Sequence, residues 1–93
     1  MKKYSLKLFL YLVNPKHPEL LNAVNTLRDF LGQELDQNFE LEVIDVMKDP
    51  AHALKEGVFA TPTLLRSFPL PPLRMVGDFT NRQMVLSALE LEK

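Results

Sequence analysis

Apolar and polar positions change their rhythm several times along the chain, and each change marks an element. Tyr4, Leu6, Leu8, Leu10 and Leu12 alternate with Ser5 and Lys7, after which Phe9, Tyr11 and Val13 make the second face apolar as well. A run that is apolar on both faces suits a central strand covered on both sides. Asn14-Pro15-Lys16-His17-Pro18 breaks the run, and the spacing of Leu20, Ala23, Val24, Leu27, Phe30, Leu31 and Leu35 is helical, with Pro15 or Pro18 in the first turn. Past Asp36-Gln37-Asn38, the residues Phe39, Leu41 and Val43 alternate with Glu40 and Glu42 before Ile44-Asp45-Val46, which predicts a second strand parallel to the first.

Asp49 then reads as an N-cap with Pro50 at the first helical position, and Gly57 as the stop of a short helix. Thr63 to Phe68 and Leu73 to Val76 read as strands joined by Pro69-Leu70-Pro71-Pro72, whose prolines confine the joint to edge or turn geometry. Thr80 and Gln83 have the spacing of a capping box, with Phe79 and Met84 as its hydrophobic staple, and predict a last helix from Asn81 to about Leu91. The order is βαβαββα in an α/β chain, with Pro62 just ahead of the third strand. That is the thioredoxin-like arrangement, here without redox cysteines.

Composition narrows the chemistry. The chain has 93 residues, which suits one domain spanning residues 1–93. Eleven basic and 12 acidic residues leave a net charge of −1, giving no broad attraction for nucleic acid or anionic membranes. There is no cysteine, so disulfides, thiolate catalysis and thiolate metal sites are excluded. The run Leu8 to Val13 is too short to cross a bilayer, and Met1-Lys2-Lys3 leads into it without a cleavage site of the signal-peptide kind, which points to the cytoplasm.

Few residues invite chemistry. Asn14 to Pro18 occupies the place of the thiol pair of thioredoxin-like enzymes and offers no nucleophile. His17 and His52 lie on different predicted helices and read as solvated residues, and Asp45, Asp49 and Asp78, near strand or helix ends, form either a paired carboxylate site or, more simply, capping and turn residues. Arg66, Arg74 and Arg82 form either a basic cluster or, more simply, a solvated surface. Ala60-Thr61-Pro62-Thr63-Leu64 is the most informative local motif. A cis X-Pro bond at the head of a strand exposes backbone groups to an extended ligand, and a plain turn proline is the equal alternative.

Collinear stretches across almost the whole chain resemble the KaiB family of clock proteins. They are Leu6-Lys7-Leu8-Phe9, Val43-Ile44-Asp45-Val46-Met47-Lys48-Asp49-Pro50, Ala60-Thr61-Pro62-Thr63-Leu64, Pro71-Pro72-Leu73-Arg74 and Gly77-Asp78-Phe79-Thr80-Asn81-Arg82. The resemblance implies a protein with no catalytic activity and no cofactor that binds the RecA-like clock ATPase KaiC and affects how it engages other partners. It also implies metamorphism between the thioredoxin-like fold and a tetramer-forming βαββααβ fold, with Pro62, Pro71 and Pro72 where the two diverge.

The chain departs from the family at Val13-Asn14-Pro15-Lys16, where Gly-Asn-Thr-Pro is usual, and in stopping at Lys93 without an acidic tail. It also carries Ser87-Ala88-Leu89-Glu90-Leu91 where the family has Ile-Gly-Leu-Asp-Leu. Ala88 in place of a helix-interior glycine is worth about 1 kcal/mol, and Glu90 outranks Asp within a helix. Both changes favour the thioredoxin-like form, expected as a monomer or weak dimer.

Three functions compete. The first is a KaiB-like binding module, in a circadian oscillator or a related stress-signalling system, with Arg74 near the contact and Pro62, Pro71, Pro72, Gly77, Asp78, Arg82, Ala88 and Glu90 serving docking or the choice of fold. The second is a counterpart of the sensory domain of the clock histidine kinase SasA. The third is a glutathione-binding enzyme, which would have to rely on the hydroxyls of Tyr4, Ser5 or Tyr11.

Overall fold

The computed structural model describes residues 6–35 and 38–91. Tyr4 and Ser5, expected in the first strand, and Asp36 and Gln37, expected in a loop, lie outside them. The elements run β1 (Leu6–Leu12), α1 (Pro18–Glu34), β2 (Phe39–Asp45), α2 (Pro50–Lys55), β3 (Thr63–Phe68), β4 (Leu73–Val76) and α3 (Arg82–Ala88). They form one four-stranded sheet in the order β2-β1-β3-β4. β1 is parallel to β2 and antiparallel to β3, and β4 is antiparallel to β3. This is the thioredoxin-like βαβαββα order, not the βαββααβ alternative.

The central place of β1 follows from its two apolar faces. Leu6, Leu8, Leu10 and Leu12 enter the main core with Leu64, Met75, the inner side of α1 and the residues of α3. Tyr11, with Phe9 packed at its border, joins Ile44, Ala53, Val58 and Leu65 in a smaller cluster under α2. Burying each such leucine contributes about 1.5–3 kcal/mol, so the α1–α3 side supplies most of the stability. α1 buries Val24, Leu27, Phe30 and Leu31, the stripe set by its helical spacing.

The helix ends depart in part from expectation. Pro18 takes the first position of α1, and His17 caps it, its Nδ1 accepting the Glu19 N–H at 3.2 Å. Asp49 caps α2 as expected, its Oδ1 accepting the His52 N–H. At α3 the expected capping box does not form. Asn81 is the cap, its Oδ1 accepting the Met84 N–H, while the Thr80 hydroxyl turns back to Asp78. Nor does the staple close: Phe79 is buried, but Met84 is 45% exposed and Val85 takes the inward position.

Candidate functional site

The end of the sheet where β1 finishes and β3 begins carries an apolar surface. An apolar cleft of about 270 Å³ opens there between Val13, Val46, Ala53, Val58, Phe59, Ala60 and Thr61. Phe59 at its rim is 86% exposed, and Met47 and Leu54, next in sequence to lining residues, are 72% and 71% exposed. Large side chains left in water this way mark contact surfaces when they gather at one place.

The polypeptide passes this cleft through a cis Thr61–Pro62 bond, and the bonds preceding Pro69 and Pro71 are cis as well. The Pro62 carbonyl accepts the Gly77 N–H at 3.1 Å, which extends the β3–β4 ladder and places Gly77, at φ 123°, beside it. Asp78 follows in a tight turn. Its Oδ1 accepts the Thr80 hydroxyl and the Thr80 N–H, and these bonds hold its carboxyl below the usual carboxylate range. Pro62 and Gly77 are therefore neighbours, with Asp78 next to Gly77 in sequence.

Tyr11 and His52 make a polar contact between β1 and α2. Tyr11 is fully buried, and its hydroxyl meets His52 Nδ1 at 3.1 Å. The His52 ring packs on Phe9 at 4.8 Å between centroids, so it anchors α2 to the sheet instead of standing in solvent as expected. Burial, reinforced chiefly by the charge of Glu56, pushes the Tyr11 phenol up to about 12. The buried Tyr11 hydroxyl is engaged by His52 and is not presented at the surface. Among the described residues no group of three or more His, Asp or Glu is placed to hold a metal ion.

The three arginines do not cluster, and each serves a helix. Arg82, on α3, ties itself to the end of α1 through Glu34 at 2.9 Å and Gln33 at 2.7 Å. Arg74, on β4, donates to the carbonyls of Glu56 and Gly57 at 2.8 and 3.0 Å, where α2 ends. Arg66, on β3, is 7% exposed, against the solvated role expected for it, and donates to the Leu89 and Pro71 carbonyls. Its position in the apolar run Thr63-Leu64-Leu65-Arg66 was the available signal, since alternation puts it on the core face with Leu64.

Ala88 and Glu90 are the remaining correction. Ala88 is the last residue of α3, and Glu90 lies beyond its cap at φ 54°. The Glu90 N–H bonds to the Ser87 carbonyl and the Leu91 N–H to the Leu86 carbonyl, the six-residue closure of a Schellman motif. Helix-interior propensity therefore does not apply at residue 90, where a left-handed backbone disfavours Glu. Pro72 and Arg74 follow Pro71 into β4, so the nine singled-out residues divide among the cleft, the α2 end, the α3 end and the α1–α3 contact. Phe59, Met47 and Leu54 were not foreseen, because exposure is decided by what fails to pack on them.

A family model for the KaiB domain matches residues 9–91. The circadian clock oscillator protein KaiB of Prochlorococcus marinus is 41% identical over 90 residues, covering 97% of this chain and 83% of its own. That of Synechococcus elongatus is 40% identical over 90 residues, covering 97% and 85%. The solution structure of the N-terminal domain of Synechococcus elongatus SasA superposes with a TM-score of 0.75 at 21% identity, covering 100% of this chain and 90% of that one. That likeness concerns the fold.

Proposed function

The chain belongs to the KaiB family, and from that premise we propose that it is a clock-type regulatory protein that acts by docking, without catalysis. Its partner in this reading is a KaiC-type RecA-like ATPase, whose exchange of other partners it alters, and it works in the cytoplasm as a single domain. The observation that carries the reading is the family match across residues 9–91 on a thioredoxin-like frame whose sequence holds no thiol. The fold shared with the SasA domain supports docking to a common target by competition. The stronger sequence likeness to KaiB, 41% against 21%, favours the KaiB role over the sensory-domain role.

Arg74 is the residue through which the reading is tested. Its guanidinium is already held by the Glu56 and Gly57 carbonyls, and the adjoining Pro71-Pro72 pair has little backbone freedom to lose, so docking there orders little that is not ordered already. Calorimetric titration of a KaiC-type ATPase from the same cell is expected to show binding, weakened about tenfold or more by Arg74→Ala. No binding by the unaltered protein overturns the reading. Unchanged binding by the variant removes Arg74 from the contact and leaves the reading standing.

A further inference from the structure

A second groove, of about 430 Å³, lies between α1 and β2 and shares no lining residue with the cleft. Leu21, Val24, Asn25 and Arg28 reach it from one face of α1, their spacing being that of successive helical turns. Val43 reaches it from β2, the edge strand of the sheet, and Pro15 and Lys16 from the loop after β1. Most of this lining is apolar. Val24 belongs to the main core and Val43 packs against it, whereas Leu21 stays 50% exposed. Volume and lining are those of a small-molecule site, in which apolar walls surround a few placed polar groups.

Those polar groups are chiefly cationic. Arg28 Nη1 donates to the Leu41 carbonyl at 3.3 Å, which fixes the guanidinium against the edge of β2 and leaves its other N–H groups for a ligand. Among the described residues neither Arg28 nor Lys16 pairs with a carboxylate, and no acidic side chain lines the groove. The chain as a whole, with a net charge of −1, has no broad attraction for anions, so this preference is local. A bare inorganic anion gains nothing from Leu21 and Val24, and a neutral apolar molecule leaves both cations unanswered. We propose that the groove binds a small amphipathic anion, a carboxylate on an apolar body, which Arg28 grips with Lys16 beside it while Leu21, Val24 and Val43 cover the apolar part. A guanidinium already held in place loses little freedom on binding and offers a carboxylate two parallel donors. The site is separate from the docking cleft and does not depend on the identity of any protein partner.

NMR titration of the full chain with octanoate below its micellar concentration, with 1-octanol and acetate as controls, tests the assignment. The amides of Leu21, Asn25, Arg28 and Val43 are expected to shift saturably with octanoate, at an affinity about tenfold above that for octanol or acetate. Arg28→Gln should weaken octanoate binding about tenfold and Lys16→Gln about threefold. Both residues are exposed, so both variants keep the fold. Leu21→Ser should weaken octanoate and leave acetate as it was. The proposal is overturned by the absence of a saturable shift, by shifts centred on Val58 to Thr61 instead, by octanol binding as tightly as octanoate, or by unchanged affinity in both charge variants.

Discussion

The two short helices end in the same motif by different means. Past α2, Gly57 is left-handed at φ 71°, its N–H bonding to the Leu54 carbonyl and that of Val58 to the Ala53 carbonyl. Past α3, Glu90 is left-handed at φ 54°, with the equivalent bonds from Glu90 to Ser87 and Leu91 to Leu86. Each motif brings an apolar pair together, Val58 with Ala53 and Leu91 with Leu86, all four buried. Each is also served by an arginine from the sheet, exposed at Arg74 and buried at Arg66. The α2 end is written into its own residues, because glycine occupies the left-handed position without a steric penalty. The α3 end is imposed from outside, by burial of Leu89 and Leu91 and by a core guanidinium, on a residue that resists it.

The comparison breaks most severely at Arg66. Arg66→Ala strands the buried Leu89 carbonyl and opens a gap in the core, and should lower unfolding stability by about 2–3 kcal/mol in denaturant titration. A loss no larger than that of Arg74→Ala would mean that burial adds nothing to the α3 end. Gly57→Ala comes next. An added Cβ would meet no atom closer than Arg74 Nη1 at 3.9 Å, so the cost is purely conformational, about 1–2 kcal/mol. Glu90→Gly has the opposite sign, a gain of about 0.5–1 kcal/mol in the same measurement, and a loss there would show that the Glu90 side chain makes a favourable contact that outweighs its backbone.

The smallest effect is silent at neutral pH. The Tyr11 phenol under α2 is raised from 10.0 to about 12 by burial. The folded form therefore holds this proton more tightly than the unfolded chain. The contribution is complete below pH 10 and fades as pH rises toward about 12. Spectrophotometric titration should find a phenol ionising in this window that is lost in Tyr11→Phe, together with the corresponding alkaline loss of stability. A Tyr11 midpoint at the ordinary phenol value would show that the α2 side admits water to the hydroxyl.

The sequence by itself determined the order of the seven elements, the central place of β1, the α2 caps at Asp49 and Gly57, the absence of thiol chemistry and the resemblance to KaiB. Those features follow from signals that act within a few residues: the period of apolar positions, an Asp before a Pro, a glycine where the chain must turn left-handed. Only the tertiary structure decided that Asn81 and not Thr80 caps α3, that α3 stops at Ala88, that Glu90 is bent into a C-terminal turn, that His52 leans on Tyr11, and that Arg66 is buried. The His52 and Arg66 contacts depend on partners distant in sequence, the α3 cap and the Glu90 turn on a choice among competing local hydrogen bonds, and a side chain's own propensity, worth at most about 1 kcal/mol, yields to hydrogen bonds and burial worth more.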